Sequence, residues 1–339
     1  MLAFVSLNDM KVEHLAIVGV GSIGRRHLRL LKELRPQLEI TLVRSGKGAN
    51  APEAELATRI VYSLKDALKS GIQAAIISSP TSKHVLQAEI LVRAGTNILL
   101  EKPLSHSLDG VSGLINKIDQ ANIVSLCGYV LRYDPGAKKI KEMILNNCVG
   151  QLLHVKVECS SYLPDWRPGQ DYLKTVSAIP ELGGGVLLEL SHELDYIRWF
   201  FGEIRSVQAN LHNSGTLGLD VEEAADLILL SEEGFPIAMH LDFNQRFSKR
   251  QCTIQGTDGE LTLDYVNKKI TFHPVGFDPE IQSFEYERDY LYREQLSHFL
   301  DCIENEISPC VTLNDGAAVL SIIEAAKRSH ETGQRKELV

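Results

Sequence analysis

The sequence predicts two domains: an α/β domain with a parallel, doubly wound sheet and an α+β domain with a mostly antiparallel, open sheet. Apolar strand patterns alternate with helical patterns from Leu15 to about Tyr129, and longer strands of alternating hydrophobicity dominate after Gly150. Strands that alternate with helices form a parallel sheet, whereas closely spaced strands of alternating polarity form antiparallel pairs. We therefore place the first domain at residues 1–129 and the second at residues 130–339.

The first domain is predicted from five apolar runs separated by helical periodicity. The predicted strands are Leu15–Val18, Ile40–Val43, Ala74–Ser78, Asn97–Leu100 and Ile123–Leu126. The predicted helices are Gly24–Leu34, a short helix after Ser63, Lys83–Ala94 and Leu108–Gln120. This repeat of strand, helix and strand is typical of a doubly wound sheet.

The second domain is predicted from longer strands and three strong helical patterns. The predicted strands are Leu152–Tyr162, Ala224–Leu230, Ile237–Phe243 and Thr253–Leu263, the last of them interrupted by a turn at Thr257-Asp258-Gly259. The predicted helices are Val186–Phe201, Asp289–Glu304 and Asp315–Glu331. We expect the C-terminal helix to pack back on the first domain.

Composition limits the class of partner. The chain has 339 residues, is 44% hydrophobic and 23% charged, and carries a formal net charge of −9. Such an acidic chain has no general attraction for nucleic acid or for anionic membrane surfaces, so we expect a small-molecule partner. The six cysteines form no CxxC pair and no tight cluster, which predicts neither a metal site nor a disulfide framework.

The hydrophobic pattern also bears on location. The first ten residues lack a basic segment, and no later stretch approaches about 18 uninterrupted apolar residues. We therefore expect no membrane span and a cytoplasmic location.

A glycine-rich turn follows the first predicted strand. Gly19, Gly21 and Gly24 form a GxGxxG pattern with Ser22 and Ile23 inside it, and a predicted helix begins there. The first glycine permits the tight bend, the second lets the backbone approach a pyrophosphate, and the third lets the helix pack closely on the strand. The helix N-terminus then directs its N–H groups at the phosphates. This setting favours a dinucleotide site over a glycine-rich turn without a ligand.

The end of the second predicted strand bears on the choice between NAD and NADP. An NAD site usually has an acidic residue about 20 residues after the glycines, but here Val43 is followed by Arg44 and Ser45, with Lys47 nearby. A guanidinium pairs with a 2′-phosphate, and a hydroxyl donates to it. The sequence therefore favours NADP, while the alternative that Arg44 is a solvated loop residue leaves NAD open.

Polar residues also follow the two predicted strands Ala74–Ser78 and Asn97–Leu100. Ligands of an open α/β sheet bind outside the carboxyl ends of its strands, so we expect these residues to contact the cofactor. Lys102, which precedes Pro103, is expected to face the nicotinamide and the substrate; the alternative is an ordinary loop lysine. The predicted cofactor contacts here are Ser79, Pro80, Thr81, His84, Glu101 and Lys102.

Three separated motifs together resemble the Gfo/Idh/MocA family, named after glucose-fructose oxidoreductase, inositol dehydrogenase and rhizopine catabolism. They are the turn Gly19–Gly24, the motif Glu101-Lys102-Pro103, and Gly183–Gly185 leading into Glu189–Asp195. Their order and spacing cover nearly the whole chain. The resemblance implies a Rossmann domain followed by an α+β domain whose open sheet packs against another subunit, in a homodimer or a homotetramer.

The resemblance also implies three catalytic residues. Lys102 matches the family's catalytic lysine and His192 its catalytic histidine, while Glu189 lies near the acidic residue that accompanies them. The family has an aspartate four residues before the histidine and Glu189 lies three before it, but both spacings keep side chains on one helix face. Tyr196 replaces the second histidine of an HExxH zinc motif. We hypothesise that Lys102 acts on the reacting oxygen, His192 exchanges its proton, and Glu189 orients His192.

Residues between the two domains are predicted to face the substrate. Tyr129 and Arg132 follow the last strand of the first domain, where the family places substrate residues, and an aromatic and charged loop follows the strand Leu152–Tyr162. Aromatic rings stack on sugars, while Arg and Asp bind hydroxyl or anionic groups. The alternative is that Trp166 and Tyr172 only pack on the second domain. Besides Lys102 and His192, the predicted substrate contacts are Tyr129, Arg132, Tyr162, Trp166, Arg167, Asp171 and Tyr172.

With the resemblance, these motifs predict an NAD(P)-dependent oxidoreductase. It would transfer a hydride between nicotinamide and a hydroxyl or keto carbon of a sugar or sugar derivative, such as a nucleotide-linked or acidic amino sugar, because the loop and the glycine turn resemble the family's surface-polysaccharide branch. Two alternatives stay open: a glycosidase that keeps its NAD bound and cycles it internally, and a regulatory protein that binds NAD(P) without chemistry. The regulatory alternative leaves the joint presence of Lys102 and His192 unexplained.

Overall fold

The first sheet has six parallel strands. In a computed structural model, which describes residues 11–46 and 51–338, they are β1 His14–Val18, β2 Glu39–Val43, β3 Arg59–Val61, β4 Ala74–Ile77, β5 Asn97–Leu100 and β6 Ser125–Cys127. Across the sheet they follow the order β3-β2-β1-β4-β5-β6, which confirms the predicted doubly wound α/β class. The direction of winding reverses between β1 and β4, and ligands of such sheets bind in the crevice at that point.

Four helices connect these strands: α1 Ser22–Leu34, α2 Leu64–Lys69, α3 His84–Arg93 and α4 Val111–Ala121. They match the predicted helices to within a few residues, the usual uncertainty of helix ends. The amide of Asp66 donates to the Ser63 side chain, which makes Ser63 the N-cap of α2. Helix α1 buries Leu28, Leu30 and Leu31 against the sheet.

The second sheet has nine strands in the described part of the chain. They are β7 Leu152–Ser160, β8 Ile204–His212, β9 Ala224–Ser231, β10 Pro236–Asp242, β11 Lys249–Gly256, β12 Gly259–Asp264, β13 Lys269–Pro274, β14 Glu280–Ser283 and β15 Lys336–Glu337. Their order is β14-β13-β12-β11-β7-β10-β9-β8-β15, and only the pair β7 and β10 is parallel among these strands. The mostly antiparallel sheet is confirmed.

Five further helices follow β6 in the described part of the chain: α5 Pro135–Leu145, α6 Val186–Glu189, α7 His192–Phe201, α8 Tyr290–Glu304 and α9 Leu313–Thr332. The prediction of one helix over Val186–Phe201 was wrong, because the helix breaks after Glu189. Leu190 has φ −98° and ψ 25°, and a new helix starts at His192. Glu193 and Asp195 stabilise that new start, since acidic side chains interact favourably with a helix N-terminus. Apolar periodicity continues through the break and therefore did not reveal it.

Helix α8 completes the core of the first domain, although it lies far along the chain. Leu296, Phe299 and Leu300 are buried in one cluster with Leu15 and Leu28. Two distant stretches of sequence therefore build this core. Helix α9 instead packs mainly on β8 and also contacts α4 and β6.

Several elements were not predicted: α5, β3, β8 and β13–β15. Asp134 caps α5, whose first residue is Pro135, and this start signal was overlooked. Strand β8 has a register shift between Ile204 and Ser206, which disrupts the two-residue alternation that identifies a strand. Within residues 11–46 and 51–338, each helix is too short or too polar to cross a bilayer.

Candidate active site

Two glycines of the turn after β1 have no room for a side chain. Gly19 has φ +102°, and a Cβ there would lie 2.8 Å from the carbonyl oxygen of Ser78. A Cβ on Gly24 would lie 2.2 Å from the carbonyl oxygen of Gly19. Glycine at both positions therefore lets β1, β4 and α1 approach each other closely.

Gly21 differs because its missing side chain leaves open space. An ideal Cβ there would meet no described atom within 4 Å beyond its chain neighbours, and its φ of −66° suits any residue. Gly21 is the N-cap of α1, which has neither a side-chain cap nor an acidic residue in its first turn. The positive end of the helix dipole therefore faces this space, with Ser22 and Ile23 as the first helical residues. These features fit a dinucleotide pyrophosphate.

The predicted residues after β4 lie beside this turn. Beneath Ser79, Pro80 and Thr81 lies His84, whose Nε2 is 2.9 Å from the carbonyl oxygen of Ser79 and whose Nδ1 is 3.1 Å from that of Pro103. Burial lowers the pKa of His84 and outweighs the effect of these two contacts. His84 therefore joins the loops after β4 and β5 from inside the protein, rather than offering its ring to a cofactor as the sequence predicted.

Glu101 also points into the protein. Its Oε1 lies 2.6 Å from Nε2 of His27, a fully buried residue of α1. A Cβ on Gly128 would come within 2.9 Å of both Cα and Oε2 of Glu101, so glycine makes room for this carboxylate. Glu101 thus connects the glycine-turn helix to the segment that carries Lys102, and the structure shows this internal contact where the sequence predicted a cofactor contact.

Lys102 and Glu189 meet at the carboxyl end of β5. The Nζ of Lys102 donates to the backbone oxygen of Glu189 at 2.9 Å and lies 3.6 Å from its Oε2. Both side chains are partly accessible, at 20% and 15%. The structure therefore brings two of the predicted catalytic residues together. The carboxylate of Glu189 contacts Lys102, whereas the sequence predicted that it orients His192.

His192 begins α7, three residues after Glu189. Its ring lies edge-on to that of Tyr129, with centroids 5.6 Å apart, and its Nδ1 is buried without a hydrogen-bond partner in the described chain. Burial, helped by the positive charges of Lys102 and Arg250, holds the pKa of His192 well below its usual range. The imidazole is therefore neutral near pH 7.

Arg132 and Tyr129 do not present their polar groups to an open cleft. Tyr129 is completely buried. Arg132 donates from Nε and Nη2 to the carboxylate of Asp195 at 3.0 and 2.7 Å, and Nη2 also reaches Asp315 at 3.0 Å. The sequence predicted a substrate contact for Arg132, but the structure uses its donors inside the protein.

The predicted aromatic loop is partly packed on the second domain. Trp166 donates from Nε1 to the Ser161 hydroxyl at 2.9 Å and lies edge-on to Phe243. The Tyr172 hydroxyl donates to the backbone oxygen of Leu217 at 2.9 Å. The packing alternative thus describes Trp166 and Tyr172 better than the substrate alternative.

Charged residues of the same loop also have protein partners. Asp171 accepts from the amide of Leu173, and Arg167 lies 3.5 Å from the Ser177 hydroxyl. Tyr162 differs, because the guanidinium of Arg246 covers its ring with 3.6 Å between the guanidinium carbon and the ring centroid. The structure therefore adds Arg246 to the neighbourhood of this loop.

Sequence reasoning also missed an ion pair beside His192. Arg250 on β11 donates to Glu193 from Nε and Nη2 at 2.7 and 3.0 Å. Glu193 is fully buried, next to His192 in the chain. The only signal was an acidic residue in the first turn of α7, and nothing near it in sequence points to Arg250.

The predicted NADP determinants lie at the end of β2. Arg44 is half-buried and its amide donates to the backbone oxygen of Val61, while Ser45 is exposed. They follow β2 directly, at the same edge of the sheet as the glycine turn. Lys47 lies outside the described residues.

Comparison with known proteins gives matches along most of the chain. The model of the oxidoreductase family's NAD-binding Rossmann fold matches residues 14–129, and the model of its C-terminal alpha/beta domain matches residues 141–338. The uncharacterized oxidoreductase YrbE of Bacillus subtilis (strain 168) is 27% identical over 334 residues, covering 92% of this chain and 93% of YrbE. Myo-inositol 2-dehydrogenase of Thermotoga maritima is 24% identical and covers 94% of this chain and 96% of its own length.

A solved structure shares the fold. Levoglucosan dehydrogenase in complex with NADH and L-sorbose has a TM-score of 0.86 to this chain at 17% sequence identity, covering 97% of this chain and 100% of that one. Together with the two family models, which span most of the sequence, this agreement settles the resemblance seen in the three motifs. The chain belongs to the Gfo/Idh/MocA oxidoreductase family, with an N-terminal NAD-binding Rossmann fold and a C-terminal alpha/beta domain.

Proposed function

We propose that this chain is an NAD(P)-dependent dehydrogenase or reductase that acts on a CH–OH carbon of a sugar or cyclic polyol. The observation that carries the proposal is the approach of Lys102 to Glu189 at the carboxyl end of β5, with His192 three residues further on. The relatives that act on inositol and levoglucosan, both polyhydroxylated rings, support this substrate class.

The residues around the site supply binding and proton transfer. A nicotinamide cofactor would provide the hydride chemistry when bound. Gly21 and the N-terminus of α1 would hold its pyrophosphate. The ammonium of Lys102, which already donates to one oxygen of Glu189, has further N–H donors for the reacting oxygen. His192 takes the hydroxyl proton during oxidation and returns it during reduction.

We propose NADP(H) as the preferred cofactor. Arg44 and Ser45 directly follow β2, where the ribose 2′ position of a bound dinucleotide is read. A guanidinium attracts a 2′-phosphate, and the described residues directly after β2 include no carboxylate. NADH-bound relatives of the same fold make NAD(H) the alternative outcome.

The proposed activity is tested by screening the full chain with sugars, inositols and nucleotide-linked sugars in the presence of NAD⁺ or NADP⁺, and by following NAD(P)H absorbance. We expect Lys102→Ala to lower turnover by about 10²- to 10⁴-fold, with cofactor binding retained. Lys117→Ala is the matched control, since Lys117 also pairs with a carboxylate, Glu89, at 2.6 Å, but on α4. Full turnover by Lys102→Ala with cofactor bound would overturn the catalytic role of Lys102, and no NAD(P)H-linked turnover by the wild type with cofactor bound would overturn the proposed activity. Cleavage of glycosides without net change in NAD(P)H would identify the internally cycling glycosidase.

We further propose that the open face of the nine-stranded sheet packs on a second copy in a homodimer or homotetramer. Buried and exposed residues alternate along β9, and Ile228 in the middle of its exposed face is 56% exposed. We also propose a cytoplasmic location, which is supported by six unpaired cysteines. Light scattering of the purified chain tests the assembly, and a monomer would contradict it.

A further inference from the structure

Two ion pairs hold the first turn of α7, which carries His192. Glu193 pairs with Arg250, and Asp195 pairs with Arg132; both carboxylates are fully buried. Each guanidinium binds its carboxylate through Nε and Nη2, at distances between 2.7 and 3.0 Å. Such two-point contacts fix orientation as well as distance.

The two pairs hold the turn from different directions. Residues two positions apart on a helix point about 200° apart, so Glu193 and Asp195 leave α7 on nearly opposite sides. Arg132 belongs to the short turn Val130–Tyr133 that leaves the first sheet, whereas Arg250 belongs to β11 of the second sheet. The turn with His192 is thus anchored to both sheets.

Arg132 also bonds to the start of α9. Its Nη2 donates to Asp315 at 3.0 Å and its Nη1 to the backbone oxygen of Cys310 at 3.3 Å. Asp315 also completes the capping box of α9 by accepting from the amide of Thr312. Arg132 therefore joins the start of α7 to the start of α9.

A gain in folding stability does not by itself explain these two pairs. A buried ion pair often contributes no more than well-packed apolar side chains of the same volume, because both charges lose their hydration. Four charged groups around one helical turn are better explained by geometry than by stability. The turn they fix presents His192 at the site where Lys102 and Glu189 meet.

Building on the proposed function, we propose that Arg132–Asp195 and Arg250–Glu193 are positioning pairs that set the place of His192 relative to Lys102. Both arginines bond to carboxylates of α7 and would act on the reaction through His192. If either two-point contact is lost, the first turn of α7 shifts, and His192 no longer lies within hydrogen-bond distance of the hydroxyl group.

Charge-preserving variants test this role. Arg132→Lys and Arg250→Lys keep the positive charge but lose the two-point contact. We expect kcat to fall about 10- to 100-fold, as for a displacement near 1 Å, with a smaller change in KM and an unchanged Kd for the cofactor. The matched control is Arg35→Lys. Arg35, at the end of α1, makes a similar two-point contact, in which Nη1 and Nη2 donate to the carboxylate of Glu304 on α8 at 2.5 and 2.7 Å. This control should retain kcat.

A second readout does not need a substrate. In histidine-labelled full chain with NADPH or NADH bound, NMR follows the titration of His192, assigned with His192→Ala. The charges that act on its ring, those of Lys102 and Arg250, persist in both lysine variants. A loosened turn admits water, so the pKa of His192 should rise toward its usual range, whereas Arg35→Lys should not move it.

The outcomes separate this inference from the proposed function. If kcat and the His192 titration are both unchanged in Arg132→Lys and Arg250→Lys, the positioning role is overturned. If His192→Ala itself keeps full turnover, the proton-transfer role proposed for His192 fails instead, and if the wild type shows no NAD(P)H-linked turnover, the proposed function fails. Should the lysine variants not fold, Asp195→Asn and Glu193→Gln, which preserve side-chain shape, undergo the same two measurements.

Discussion

Replacing Gly21 by alanine should remove most of the affinity for the cofactor and leave the fold intact. Its φ of −66° is open to alanine, and a Cβ there meets no described atom within 4 Å beyond its chain neighbours. The methyl group therefore fills only the space in front of α1. With the pyrophosphate in that space, the variant loses at least one N–H bond to a charged group, worth about 1.5–3 kcal/mol.

That loss corresponds to a Kd weaker by about 10- to 150-fold. The effect is measurable by thermal unfolding with and without cofactor. At a concentration of 100 times its Kd, the cofactor stabilises the wild-type chain by about 2.7 kcal/mol. A variant whose Kd is 100-fold weaker gains only about 0.4 kcal/mol under the same conditions. Titrations with NADH and NADPH give the two values directly.

Gly24→Ala is the contrasting variant. Its Cβ would lie 2.2 Å from the carbonyl oxygen of Gly19, so helix and strand must separate, at a cost of about 1–3 kcal/mol in the unliganded chain. Gly21→Ala should show no such loss. Wild-type affinity of Gly21→Ala for both cofactors would refute the placement of the phosphates at this turn. A loss of stability in unliganded Gly21→Ala would refute the conclusion that the space beside Gly21 is open.

Three further outcomes are expected. Asp242, helped by Asp226, raises the pKa of His240 from 6.5 to about 9, so the stability that His240 contributes is complete below pH 6.5 and is lost as the pH rises through 9. The difference in Tm between the wild type and His240→Asn should shrink over that range, and a constant difference would contradict the assignment. Phe299→Ala should cost about 3–5 kcal/mol in urea unfolding, since this residue of α8 is fully buried in the first-domain core; a loss below about 1 kcal/mol would show that α8 is dispensable there. Arg44→Asp should shift cofactor-induced stabilisation from NADPH toward NADH, and an unchanged ratio would count against the 2′-phosphate contact.

The features that the sequence revealed are those encoded over a few residues. The glycine turn and Lys102 follow apolar strands directly, and the ends of parallel strands meet at one edge of the sheet. Their placement near the cofactor crevice therefore follows from local pattern and topology together.

The features that the sequence concealed depend on distant partners. Arg132 meets Asp195 and Asp315 at separations of 63 and 183 residues, and Arg250 meets Glu193 at a separation of 57. An arginine between two domains looks the same in sequence whether it binds an anionic ligand or an internal carboxylate. Only the fold distinguishes these cases, because it fixes which donors are already in use.

The dependence of the first-domain core on α8 has a consequence for biosynthesis. When residue 129 has left the ribosome, the apolar surface around Leu15 and Leu28 is still uncovered, because Leu296 and Phe299 have not been made. At about 5–20 residues per second, their synthesis takes roughly another 10–35 s. During that interval the nascent chain exposes apolar surface that chaperones can bind. The strands that carry the cofactor crevice still lack the helix that packs on them. A chain truncated between residue 129 and the start of α8 should therefore fail to form a stable nucleotide-binding domain, although it contains every strand of the first sheet.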